Sequence, residues 1–127
     1  MAIGEEAGCN TQGIDAIAVG SLAGQSHQNN YAVAVGWNSG CNAQGSAAIA
    51  VGYKAGTNTQ GGNAIALGTN AGATSQGAYA VSLGYQYFLQ SGQGAQAVSL
   101  GTNAGTATQG NYGIAIGPTA GNTAQGI

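Results

Sequence analysis

The chain has 127 residues, 25 of them glycine, and only four side chains carry a formal charge: Glu5, Glu6, Asp15 and Lys54. A single cation cannot displace the counter-ions of a phosphate backbone, which excludes nucleic acid as a partner, and so much glycine argues against helix. Low charge also removes the usual protection against self-association, so an oligomer is expected.

From its first residues the chain keeps one beat. Glycine returns at Gly4, Gly20, Gly36, Gly52, Gly68, Gly84, Gly101 and Gly117, in steps of sixteen except for one step of seventeen after Gly84. Glutamine keeps the same beat at Gln12, Gln28, Gln44, Gln60, Gln76, Gln93, Gln109 and Gln125. Residues 1–127 therefore read as a single repeat domain without an internal boundary. The chain opens in mid-repeat, MAIGEEAG matching the second half of AIAVGSLAG, as a piece of a longer array would. It shows no charged-then-apolar leader and no run of about eighteen apolar residues, so neither a signal peptide nor a membrane span is expected in this stretch. A parent protein can carry either one outside it.

Each repeat begins with four alternating residues: Ala16-Ile17-Ala18-Val19, Ala32-Val33-Ala34-Val35, Ala48-Ile49-Ala50-Val51, Ala64-Ile65-Ala66-Leu67. This is a period-two strand signal, large residues on one face and alanine on the other. Four residues are too few to stand alone. Stacked in register they make a parallel sheet, with one column of branched residues from Ile17 to Ile114, a second from Ile3 to Ile116, and an alanine face that another surface can approach closely. The glycine ending each strand supplies a tight corner. A small residue plus glycine, as in Ala23-Gly24, Ser39-Gly40 and Ala55-Gly56, marks a second corner. The polar stretch that follows, Thr57-Asn58-Thr59 for example, reads as an opposite strand closing on Gln-Gly. Sixteen residues at about 3.3 Å make roughly 53 Å of path, enough for two short strands and two turns. The recurring glutamine predicts a ladder of amides about 4.8 Å apart, each donating to the next and fixing the register.

The rule breaks once. Between Gly84 and Gly94 the repeat gains a residue and reads YQYFLQSGQ over 85–93. An insertion into stacked coils must bulge outward, so Tyr85, Tyr87, Phe88 and Leu89 form a candidate patch for a neighbouring chain or for a ligand. Other aromatics fall in columns: Trp37, Tyr53 and Tyr85 follow the strand-ending glycine, and Tyr31, Tyr79 and Tyr112 precede a strand. Aromatic rows on a weakly charged surface suit sugars or flat partners, and packing over a corner explains them as well.

Cys9 and Cys41 share one repeat position two coils apart, roughly 9–10 Å by strand spacing and beyond the ~7 Å reach of a disulfide, so they read as free thiols or as a link between chains. His27, without a second histidine, reads as a turn residue and not a metal ligand. Pro118 suits a corner, where its missing N–H costs nothing.

The chemistry of an enzyme is missing from this inventory. One histidine and three acidic residues cannot assemble a Ser/His/acid set, and Glu5 and Glu6 are adjacent, so in a strand they face opposite ways. The GxxAG spacings are corners, with no lysine for a phosphate loop, and the aspartates of a calcium roll are absent. No enzyme activity, cofactor or metal is expected.

The AIAVG and AIALG strands, each followed by a small residue and glycine, resemble the head repeats of trimeric autotransporter adhesins, the YadA-like family. Strings similar to NAIALGTNAGATSQG also recur in phage tail fibres and giant-virus fibre proteins. The likeness runs from Ala2 to Gln125. It implies a left-handed parallel β-roll that trimerises side by side and binds extracellular matrix or cell-surface receptors. The repeat is longer than the usual adhesin head repeat and carries Gln-Gly, which leans toward the viral or phage version. The chain shows no coiled-coil stalk or barrel anchor, and the family has no catalytic residues to carry over.

The expected fold is thus all-β, a two-sided parallel β-roll of about eight sixteen-residue coils in a homotrimer. The expected role is a non-enzymatic structural and adhesive segment of an extracellular or virion fibre, its partners being its own copies and a cell-surface receptor, glycan or matrix protein. Two rivals stand beside it. Rows of threonine (Thr57 and Thr59, Thr106 and Thr108) suggest an ice-binding face, interrupted at His27, Cys41 and Ala43. Unpaired edges at the ends of an open roll suggest end-to-end filaments.

Overall fold

The computed structural model describes residues 1–86 and 92–123 and contains strands and turns with no helix among them. Eight short strands form one parallel sheet in chain order: Ala2–Ile3, Ile17–Val19, Val33–Val35, Ile49–Val51, Ile65–Leu67, Val81–Leu83, Val98–Leu100 and Ile114–Ile116. Five still shorter ones, Thr11–Gln12, His27–Gln28, Ala43–Gln44, Thr59–Gln60 and Ser75–Gln76, form a second. The chain alternates between the two sheets, which makes a β-solenoid of about seven turns.

Register is kept to the residue. Ile17 pairs with Val33, Val33 with Ile49, Ile49 with Ile65 and Ile65 with Val81, so equivalent side chains form continuous files. The seventeen-residue step leaves this sheet undisturbed, because Val81 still pairs with Val98 and Leu83 with Leu100. The extra residue falls in the chain between Gln86 and Gln93, ahead of the short sheet's next position. In that sheet, ordered pairing ends at Ser75–Gln76 and continues only as single bridges from Gln76 to Gln93 and from Gln93 to Gln109.

The alternation points inward with its small residues. Ala18, Ala34, Ala50 and Ala66 are fully buried, with Ser82 and Ser99 at the same place in later coils, and Ala23, Ala55, Ala71 and Ala104 meet them from the second corner. The branched residues face outward and are half-buried by the coils on either side. Ile114 and Ile116, in the last strand and covered from one side only, are 61% and 63% exposed. The physical reason is the perimeter. A coil of sixteen residues with strands of three and two leaves an interior wide enough for methyl groups, and larger side chains there would force the sheets apart.

Glutamine fills what alanine cannot. Gln28, Gln44, Gln60 and Gln109 are among the largest fully buried side chains. The amides do less for one another than the repeat suggests. Bonds between them run from Gln12 to Gln28 and from Gln60 to Gln76, whereas the recurring partners are main-chain carbonyls. Gln44 Nε2 donates to Val33 O at 2.7 Å and Ala48 O at 3.2 Å, and Gln60 repeats this with Ile49 and Ala64. Each amide therefore staples the short sheet to the start of two successive strands of the long one. Carbonyls at that point would otherwise lack a second acceptor contact in a dry interior. Gln125 lies outside the described residues.

Both corners use left-handed backbone. At Gly52, φ is +132°, and an added Cβ would meet Gly68 O at 2.7 Å, so the coils touch backbone to backbone there. More unusual, among the described residues, are fourteen non-glycine residues with φ between 55° and 63°, two in most coils, including Leu22, Ala47, Lys54, Tyr31, Tyr79 and Tyr112. Each is held against its intrinsic preference by the hydrogen bonds of the stack. Ala47 N–H, for example, donates to Asn30 O of the previous coil at 2.9 Å.

Candidate functional site

With alanine and glutamine inside, the outer surface carries the large residues. The outward face of the long sheet is a double file of Ile, Val and Leu without a charge on it. Eight strands about 4.8 Å apart and three residues wide give a face about 34 Å tall and about 10 Å across, some ~340 Å² in projection, within the range of the largest apolar patch on an ordinary monomer, which is often functional.

Two aromatic files border this face. Before the strands stand Tyr31, Tyr79 and Tyr112, all exposed, and after the strand-ending glycines stand Trp37, Tyr53 and Tyr85. Trp37 and Tyr53 lie on successive coils with ring centroids 5.1 Å apart and planes 15° from parallel. Lys54 Nζ lies 5.5 Å from both centroids. The sole basic side chain is thus spent on a cation–π contact with both rings, leaving the face beside it uncharged. Of the patch expected at the insertion, Tyr85 is placed in this corner file and is 47% exposed, whereas Tyr87, Phe88 and Leu89 lie outside the described residues.

The opposite side is polar and mixed. Thr57 Oγ1 donates inward, 2.7 Å from Lys54 O and 3.2 Å from Asn38 O, and Thr106 is buried with its hydroxyl on Asn122. Their side chains leave the outer surface to a single file of Thr11, His27, Ala43, Thr59, Ser75 and Thr108. His27 occupies a short strand and is exposed, in place of the turn expected for it. Asn42 Nδ2 donates to Asn58 Oδ1 at 3.0 Å beside this file. An open groove of about 540 Å³ lies on the same side, lined by Ser75, Gln93, Thr108 and Asn111, with no charged side chain.

Both cysteines are free, Cys9 exposed and Cys41 buried. Gln25 occupies the coil between them, and Cys41 Sγ donates to its Oε1 at 3.4 Å. Burial pushes the Cys41 thiol above its ordinary range. Among the described residues no group of three His, Cys, Asp or Glu stands close enough to hold a metal ion, and no helix is long and apolar enough to cross a membrane.

The aliphatic face and the inward glutamines were the parts that sequence reasoning left open or simplified. The alternation named both files without saying which faced out, and the left-handed residues were signalled only in part: Asp15, Asn38, Asn63, Asn70 and Asn103 suit positive φ, whereas tyrosine, leucine and alanine do not advertise it. Comparison of the chain with family models, curated proteins and solved structures finds no match.

Proposed function

We propose that this chain is a non-enzymatic segment of a trimeric extracellular or virion fibre, serving as rigid spacer and adhesive surface. One observation carries the reading: a tall, uncharged aliphatic file stands outside a core that is already complete without it. Side chains that large have no use in the fold's own interior, and leaving them in water forfeits about 25 cal/mol for each Å² that a neighbour would cover. Three left-handed rolls set side by side with their long sheets turned toward a common axis would cover all of them.

The remaining surface supports the same role. A body whose successive coils are bonded through the long sheet and the corners resists bending, which suits a spacer. Exposed aromatics at regular steps offer many shallow contacts to a receptor, glycan or matrix protein, and three chains multiply them into avidity. With one histidine and three carboxylates in its sequence, the chain has few bases that could activate a nucleophile.

Light scattering on the purified chain at micromolar concentration tests the association. A mass three times that of the chain supports the reading, and a monomer overturns it.

A further inference from the structure

The long sheet has a leading border ahead of its strands and a trailing border behind them, and both are bonded from coil to coil. On the leading side, Ala47 N–H donates to Asn30 O at 2.9 Å and Tyr79 N–H to Gly62 O at 3.0 Å. On the trailing side, Asn70 N–H donates to Tyr53 O at 2.9 Å and Gln86 N–H to Thr69 O at 3.0 Å. Every border residue therefore stands at a fixed height, one coil step of about 4.8 Å from the next.

Coil by coil, the two borders match in kind. The coil with Tyr31 on its leading border has Trp37 on its trailing one, and Tyr79 is matched with Tyr85. Asn63 is matched with Thr69 and Gln96 with Thr102, amide with hydroxyl, and the one charge in either file, Asp15, with Ser21. Two coils pair unlike kinds, Ala47 with Tyr53 and Tyr112 with Pro118.

Contact within one chain does not account for the match. Six residue steps at about 3.3 Å put Tyr31 and Trp37 about 20 Å apart, on either side of the strand. The ring that Trp37 stacks on is that of Tyr53, one coil on. Two chains can bring matched residues together. Rotation about an axis parallel to the roll preserves height, so copies turned face to face by it set the leading border of one against the trailing border of the next, coil for coil.

Area and register point the same way. A chain in a stable complex gives up about 800 Å² of surface, and the aliphatic face alone, some ~340 Å² in projection, falls short. Taking in both borders widens the face from three residues to seven, about 23 Å, and lifts the projection to about 780 Å². The aliphatic files are nearly uniform along the roll and leave the register free. A slip of one coil would set Tyr79 against Thr69 or Thr102, and Asn63 against Tyr53 or Tyr85, so the borders fix it.

We propose that copies of this chain associate in register, the leading border residue of each coil against the trailing border residue of the same coil in the next copy, so that Tyr31 meets Trp37 and Tyr79 meets Tyr85 across the interface. The pairing rests on the fibre reading for its common axis. All four rings are exposed in the single chain and are covered by this contact. Tyr53 and Tyr112, with no ring opposite them, are the ones left for a receptor.

Two measurements on the full chain test it. Trp37 is the sole tryptophan, so its emission is read alone when excited beyond the tyrosine band. Tyr31→Ala should move that emission to longer wavelength, although Tyr31 is out of reach of Trp37 within one chain, and Tyr112→Ala should not. In a background of Cys9→Ser and Cys41→Ser, Asn63→Cys with Thr69→Cys should oxidise to one covalent oligomer on a non-reducing gel. Asn63→Cys with Thr102→Cys, two coils out of step and about 9.6 Å too far along the roll, should stay as single chains. Light scattering on the unmodified chain keeps the two readings apart. In an assembled chain, a Trp37 emission blind to Tyr31→Ala, or matched cysteines that link no better than shifted ones, refutes the pairing and leaves the fibre standing. A covalent dimer in register keeps the pairing and overturns the trimer, and a monomer overturns both.

Discussion

Gln44 Oε1 lies 2.8 Å from the point where a Cβ on Gly40 would stand, so this amide and this glycine occupy one space between them. Gly40 is left-handed at φ +52°, and the buried oxygen finds no hydrogen-bond donor beside it, only the glycine's Cα–H. The pair recurs as Gly24 with Gln28, Gly56 with Gln60, Gly72 with Gln76 and Gly105 with Gln109.

Gly40→Ala should therefore cost about 1–3 kcal/mol through backbone strain and overlap with the amide. Gln44→Ala also destabilises, by loss of its bonds to Val33 O and Ala48 O. The two together should cost less than their sum, since the overlap is gone once the amide is removed. Urea unfolding of the four chains measures the difference, and strict additivity would show that the contact does not matter.

Neighbouring residues of one strand should respond in opposite ways. Ala50 is fully buried and Ile49 faces outward. Ala50→Val overpacks an interior with no room and should cost about 1–3 kcal/mol, despite the gain in apolar area. Replacing Ile49 and Ile65 together by glutamate should leave the circular dichroism of the strands intact and drop the mass in light scattering to that of one chain. A double variant that stays assembled would place the interface elsewhere.

The left-handed positions offer stabilisation without touching any contact. Ala47 is exposed, with φ 55°, where the file has asparagine at Asn63. Ala47→Asn should raise stability by about 0.5–1 kcal/mol, because asparagine tolerates this region far better than alanine. A thermal melt under reversible conditions reads it, and an unchanged midpoint would mean that the stack imposes no strain at this corner.

Cys9 and Cys41 should separate by rate. At mildly alkaline pH iodoacetamide should modify exposed Cys9 first, with Cys41 following only slowly, because burial both shields it and raises its pKa. The sign for stability follows. The folded thiol holds its proton more tightly than the unfolded one, so its contribution is full below the ordinary thiol range and declines as pH rises through that range toward the folded value. Cys41→Ser should flatten this decline, as followed by unfolding midpoints at successive alkaline pH values.

Periodicity made most of the architecture readable. Strand positions, the parallel pairing of Ile49 with Ile65, and the two glycine corners all follow from a sixteen-residue beat, since only stacking can satisfy strands so short. The orientation of Ile49 and Ala50 did not follow, because alternation is symmetric between faces and the usual preference would put isoleucine inside. What settles it is the width of the coil, a property of the closed ring and not of any local string. The stapling by Gln44 was hidden for a similar reason: its carbonyl partners lie eleven residues before it and four after, a relation that exists only once the chain has closed. The stack of Trp37 on Tyr53 was legible as a shared column, but the Lys54 ammonium over both rings was not.

The unbroken pairing of Val81 with Val98 across the longer step has a genetic corollary. Since each coil hands upward the same surface it receives from below, sixteen codons duplicated or deleted in frame lengthen or shorten the rod by one storey and leave every remaining joint as it was. One residue more inside a storey is accepted too, between Gln86 and Gln93, without disturbing the long sheet. Such a gene can change the reach of its product by unequal crossing-over while selection on the fold stays blind to the change.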